Sequence, residues 1–265
     1  NSLKKFDESL RLFLLKYITQ VEEEARTLTG YKFDQCNDNG KIPWYETSAY
    51  SLDATLQSKM STISSAYSEL SKSKSEYVQF YMNNHEQIPT WIMIKVVNFS
   101  TFIDVLRNSK VNVTHAICKL YSMYDNNNLP NVKLLIGSLH WLRRVRNSCA
   151  HNERVYCIHQ TQVRNNSASG RILDPYYTQL PASYSRCTEK NIFDLLVYFK
   201  YYLPKEEFTP MITELKNMLV ELQNTLQPNA FDNVRGQMGI KNLNILDTLI
   251  ILPKSKIEYH KFDTL

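Results

Sequence analysis

Glycine is scarce, with 6 residues in 265, and proline adds only 9. A chain so poor in both is neither collagen-like nor low-complexity, and it leans helical. Long apolar runs are missing as well. No stretch approaches the roughly 18 residues that span a bilayer, and the chain does not open on a basic stretch followed by an apolar one. A soluble cytoplasmic protein with no membrane partner is expected. It opens on Asn1, which is compatible with a leader or further segment upstream. The five cysteines, Cys36, Cys118, Cys149, Cys157 and Cys187, are odd in number, scattered and without a CxxC pair. That argues against a disulfide framework and against a zinc ribbon. Cys149, His151, Cys157 and His159 follow a C-x-H-x5-C-x-H order that is not a structural zinc spacing, so no metal and no other cofactor is expected.

Net charge is low, at +5, but unevenly placed. Residues 137–190 hold eight basic side chains (Arg143, Arg144, Arg146, Arg154, Arg164, Arg171, Arg186 and Lys190) against Glu153, Asp174 and Glu189. The rest of the chain carries 23 of each sign, and seven of the eleven arginines lie in this one segment. Arginine's planar fork suits phosphate oxygens, although a solvated basic face has the same composition.

Apolar residues at spacings of three and four mark most of the chain as helical. Leu3, Phe6, Leu10, Phe13, Leu14, Tyr17, Val21, Ala25 and Leu28 predict a helix over 3–28, with Gly30 as its stop. Residues 31–50 read as a loop. Leu52, Leu56, Met60, Ile63, Tyr67 and Leu70 predict a second helix with Ser51 as N-cap. Further helices are expected over 76–83, over 90–107 after Pro89, and over 113–124, with a polar break at 125–131. Val132, Leu135, Ile136, Leu139, Leu142 and Val145 then form the apolar stripe of a helix carrying Arg143, Arg144 and Arg146. From about 157 to 190 the pattern fails for longer than an ordinary connection, in a basic loop that mixes Arg164, Arg171 and Arg186 with Tyr176, Tyr177 and Tyr184. Such a mix can grip phosphate and stack on bases. Helical spacing returns over 192–203, and again after Thr209 as N-cap with Pro210 at the first helical position. The apolar tail Leu246, Leu249, Ile250, Ile251 and Leu252 is too hydrophobic for disorder. The expected architecture is a single all-α domain over 1–265, a helical bundle with a long irregular insertion and a C-terminal helical subregion over about 190–265.

P-loop, GxSxG, HExxH, EF-hand and GxGxxG signatures are all absent, which removes the usual marks of nucleotide hydrolysis, serine hydrolysis, zinc proteolysis, calcium binding and dinucleotide redox. One constellation remains: Arg146-Asn147-Ser148-Cys149-Ala150-His151. By composition alone an Arg-x4-His match is cheap, at about 0.25 per chain, and Arg154 with His159 forms a second.

Context separates the two. The stretch Trp141-Leu142-Arg143-Arg144-Val145-Arg146-Asn147-Ser148-Cys149-Ala150-His151-Asn152-Glu153-Arg154-Val155-Tyr156 resembles the signature of the Abi-like (AbiD/AbiF) abortive-infection family of bacteria, a branch of the HEPN superfamily. Pro89 and Trp91 match the family's Pro-x-Trp helix start, Arg26 resembles its first-helix arginine, and residues 233–240 look like its C-terminal element. The family's amino-terminal segment is not matched here. The resemblance implies a HEPN-type all-α bundle, often a homodimer, that cuts RNA without a metal. Carried over, the catalytic pair is Arg146 and His151, with Asn147 beside the arginine. Arg143, Arg144, Asn152, Arg154, Arg164 and Arg171 are the expected RNA-binding residues. The expected partners are RNA as substrate, an antitoxin non-coding RNA and a second copy of the chain.

The chemistry suits these residue types. An imidazole with an ordinary pKa near 6.5 can exchange protons with the 2′-hydroxyl or the leaving 5′-oxygen near neutrality. A guanidinium stabilises charge growing on phosphoryl oxygens. Helix geometry adds a constraint, because at 100° per residue Arg146 and His151 lie about 140° apart, whereas His140, Arg144, Asn147 and His151 fall within about 60° of arc. Either the helix is bent or ends near Cys149, or a second copy completes the site, the favoured expectation, with nearby arginine charge favouring the neutral imidazole. Two other readings stay open: an idle HEPN module that binds and sequesters RNA, and a protein-interaction bundle. Trp91, Trp141 and Tyr156 read as core or rim aromatics.

Overall fold

The structure, a computed structural model, describes residues 2–160, 180–181, 184 and 189–253. The fold is all-α, with eleven α-helices among the described residues. Among the described residues there is no strand, only isolated bridges such as Tyr50 with Ser109. The chain divides into two compact units, one formed by Asn1–Val21 and Tyr121–Leu265, the other by Glu22–Leu120.

Helix α1, Ser2–Cys36, contributes to both units. Its stripe Phe6, Leu10, Phe13, Leu14, Tyr17, Ile18, Val21 and Ala25 is buried. The expected stop at Gly30 is overridden. The helix runs on, burying Phe33 fully, and that burial outweighs the roughly 1 kcal/mol that an internal glycine costs. The chain turns instead at Asp38, Asn39 and Gly40, whose φ values of 53°, 52° and 82° are left-handed.

In the Glu22–Leu120 unit, α2 (Leu56–Lys72) begins four residues later than a Ser51 cap would place it, because the Thr55 side chain takes the Ser58 N–H. The face it buries is also unexpected. Leu56, Met60 and Tyr67 are 62%, 58% and 47% exposed, while Lys59, Thr62 and Ala66 turn inward together with Leu70, the member of the expected stripe that is buried. Polar bonds decide this orientation. Asn108 accepts from Ser58 Oγ at 2.9 Å and donates to Thr62 Oγ1 at 2.9 Å. Glu69 accepts from Thr101 Oγ1 and Asn98 Nδ2, both at 2.6 Å. After α3 (Glu76–Asn84), the helix expected over 90–107 is split into α4 (Thr90–Val96) and α5 (Phe99–Asn108). Asn98 causes the break by capping the N–H groups of Ser100 and Thr101. Arg26 is structural: it binds Glu22 Oε1 at 2.6 Å and the Ile94 carbonyl at 2.6 Å, and lies over the Phe102 ring at 4.9 Å. Helix α6, Val111–Leu120, stops short of 124, since Ser122 has a φ of 54°.

In the other unit, α7 (Val132–Ala150) and α8 (Ile192–Tyr202) pack together. Every residue of α8 is buried. Its N-terminus carries a capping box between Asn191 and Asp194. Helix α9, Lys205–Thr225, begins a turn before Thr209, with Pro204 at its N-cap and Pro210 inside. The added turn buries Phe208. Pro228 ends that stretch and opens α10 (Pro228–Gln237), and the apolar tail forms α11, Asn244–Ile251. Among the described residues no helix is long and apolar enough to cross a membrane.

Candidate functional site

The motif helix α7 starts with the Asn131 side chain accepting from Leu134 N at 3.0 Å. Leu134, Leu135, Leu139, Trp141, Leu142 and Val145 are buried, and Trp141 Nε1 donates to the Asn191 carbonyl at 3.1 Å. These anchors fix the helix's rotation. His140 and Asn147 are half-buried and Arg144 is exposed, which is the polar stripe that the periodicity predicts. Arg146 sits at the flank of the buried face. It is half-buried and donates to Asn147 Oδ1 at 3.3 Å.

His151 is the C-cap of α7, with φ −91° and ψ 10°. The helix therefore ends where one of the two geometric expectations required. It ends by a Schellman closure. Asn152 is left-handed (φ 57°) and donates from its N–H to the Cys149 carbonyl at 3.3 Å. The Glu153 N–H reaches the Ser148 carbonyl at 3.0 Å, and Ser148 Oγ donates to Glu153 Oε2 at 2.6 Å. His151, Asn152 and Arg154 are all exposed. The His151 ring has no hydrogen-bond, ion-pair or ring partner among the described residues.

A buried carboxylate holds the other end of this loop. Asp7 Oδ1 accepts from the N–H groups of Val155 and Tyr156 at 2.9 and 3.2 Å. Its second oxygen is ion-paired with Arg11, which also donates to the Glu153 carbonyl at 3.3 Å. The sequence reading missed this clasp. The signal was there in Asp7, which interrupts the stripe Leu3, Leu10, Leu14 at a position that should be apolar. Cys149 lies against the same pair. Burial pushes its thiol up to about 12, with Arg11 opposing and Asp7 adding to the shift, so it is a protonated core thiol. Among the described residues no group of three His, Cys, Asp or Glu side chains is placed to hold a metal.

Of the other expected RNA-binding residues, Arg143 is half-buried, and its Nε has no partner among the described residues. Arg144 Nη2 stands 3.5 Å from the His159 carbonyl. Arg164 and Arg171 lie outside the described residues, as do Arg186, Tyr176 and Tyr177. Tyr184 is buried against Phe193, with ring centroids 4.7 Å apart, and its hydroxyl accepts from Lys241 N at 3.0 Å. It is a core residue and does not offer a face to a base. Gln160 and Lys190 pair through both main-chain bonds, at 2.9 and 3.0 Å. The ends of the long insertion are thereby held together next to α7. Lys190 is itself buried, and desolvation lowers its pKa, opposed by Asp194.

The fold and this loop define an all-α protein with an arginine and histidine motif at the end of a buried-face helix. Over residues 1–157 the chain matches the family described as Abi-like protein, and it belongs to that family. The match runs from the clasp helix through the whole motif. No curated protein and no solved structure matches the chain. The family suggests abortive infection.

Proposed function

We propose that this protein is a metal-independent endoribonuclease of an abortive-infection or toxin–antitoxin system, acting in the cytoplasm. The observation that carries the reading is the imidazole of His151, exposed and without a partner among the described residues, in the Arg146-x4-His151 motif inside the family match. Structural histidines at helix ends bond a carbonyl; this ring bonds none among the described residues.

In the proposed reaction, a base removes the 2′-hydroxyl proton and the 2′-oxygen attacks the adjacent phosphorus. The bond to the 5′-oxygen breaks, and that oxygen takes a proton. His151 serves one of the two proton transfers. The Arg146 guanidinium stabilises the charge on the non-bridging oxygens, and Asn147, hydrogen-bonded to it, sets its direction. Arg144, Asn152 and Arg154, exposed around the motif, bind flanking phosphates, and Arg143 supports them from the helix flank. The helical spacing of about 100° per residue sets Arg146 and His151 about 140° apart around α7, and a second copy of the chain completes the cleft by two-fold symmetry. An antitoxin RNA bound to the same basic face restrains the activity.

A single 2′-deoxy substitution at the scissile nucleotide tests this directly, since the attack needs the hydroxyl. Cleavage should stop there while binding persists. His151→Ala should lower cleavage by about a hundredfold or more and leave stability within about 0.5 kcal/mol, as expected for an exposed side chain without partners among the described residues. Binding that survives with intact RNA recovered from wild type would favour the sequestering module instead.

A further inference from the structure

Between the Schellman closure at Ser148 and the clasp at Val155, only a few residues of chain span the gap, and His151, Asn152, Glu153 and Arg154 are all exposed along it. The two anchors differ in kind. The first is local, built by the end of α7. The second reaches across the sequence: Asp7, on the second turn of α1, is 4% exposed and accepts two main-chain N–H groups with one oxygen while its other oxygen binds Arg11. Arg11 is nearly covered too and extends the hold to the Glu153 carbonyl. A carboxylate in an apolar stripe is costly unless it satisfies several donors, and here each donor belongs to the chain that follows His151 or to the arginine that also grips it.

We infer that Asp7 is a positioning residue for the site: it fixes the loop 151–156, and through it the height and rotation at which the His151 imidazole leaves the end of α7. Arg11 acts with it, and Ser148 with Glu153 closes the same loop from the helix side. The inference rests on the reading of His151 as the proton-transfer group, where a displacement of about 1 Å is enough to cost a large factor in rate.

The test compares wild type with Asp7→Asn, which keeps an acceptor for Val155 and Tyr156 but removes the charge that orders Arg11. Asn131→Ala is the control, a lost cap at the far end of the same helix. RNA cleavage is read as kcat and KM separately, and the His151 ring is followed by NMR on histidine-labelled protein, its signals assigned with His151→Gln. Asp7→Asn should lower kcat at least tenfold with KM within threefold, and should shift or broaden the His151 ring signals. Asn131→Ala, at a similar loss of melting temperature, should keep kcat within twofold and leave those signals in place. Unchanged kcat and ring signals in folded Asp7→Asn would overturn the inference, as would the same kcat loss in Asn131→Ala. If Asp7→Asn does not fold, Asp7→Glu, which keeps charge and acceptors but moves them outward by one methylene, is judged by the same criteria. If wild type cuts no RNA, the nuclease reading fails, and the NMR comparison alone decides whether Asp7 sets the ring.

Discussion

At the residue scale, burial separates the groups that can do chemistry from those that cannot. His151 stands in solvent, while Cys149, two residues earlier, is a core thiol whose pKa burial raises to about 12. Cys118 is raised to about 12 by the same cause, and the buried Tyr50 phenol is pushed up as well. These shifts have a consequence for stability. In the unfolded chain a thiol loses its proton near its ordinary value of about 8.5, whereas the folded protein retains it. Above that pH the unfolded state binds fewer protons than the native one, so stability falls as pH rises. The contribution is whole below about pH 8.5 and is lost progressively towards about 12. The urea midpoint should therefore drop between pH 8 and pH 10, and the double variant Cys118→Ala, Cys149→Ala should show a shallower drop. A midpoint flat over that range would contradict the assignment. Of the site residues, the motif was readable from the sequence because Arg146, Asn147 and His151 stand together. Asp7 was not, since a single carboxylate among leucines reads as an irregularity until its donors, almost 150 residues away, are in view.

At the element scale, the end of α7 matters most. Its apolar stripe made the helix readable, but its stop depends on backbone conformation at Asn152, and asparagine there looks like any exposed polar residue. The left-handed conformation (φ 57°) gives a clean prediction. Asn152→Gly should leave stability within about 0.5 kcal/mol, since glycine adopts that region freely, whereas Asn152→Ala should cost about 1 kcal/mol. Urea denaturation checks both. If the Asn152 amide also touches RNA, the glycine variant loses affinity while keeping its fold, which separates the two roles. Helix α2 shows the opposite failure of pattern reading. Its periodicity correctly gave a helix, yet Leu56, Met60 and Tyr67 of the apolar stripe face out and only Leu70 is buried, because Asn108, Asn98 and Thr101 bond the polar side. Periodicity reports that two faces differ; which one is buried depends on partners elsewhere in the chain. The same holds at Asn98, where one capping side chain turned an expected single helix into α4 and α5.

At the scale of the whole molecule, the all-α class followed from the shortage of glycine and proline together with spacings of three and four. Family membership followed from the stretch around the motif. The division into two compact units did not, because α1 runs through the boundary without any change in its pattern. What the molecule presents is an arginine-bearing helix end at which the His151 imidazole is exposed and has no partner among the described residues. The central claim is that this end breaks RNA by internal attack with no metal. The most direct test is to incubate the purified protein with a defined RNA in EDTA and identify the new ends by mass spectrometry. The account predicts 2′,3′-cyclic phosphate and 5′-hydroxyl termini, formed by wild type and absent with His151→Ala. Intact RNA from wild type, ends bearing a 5′-phosphate, or undiminished cleavage by His151→Ala would contradict it.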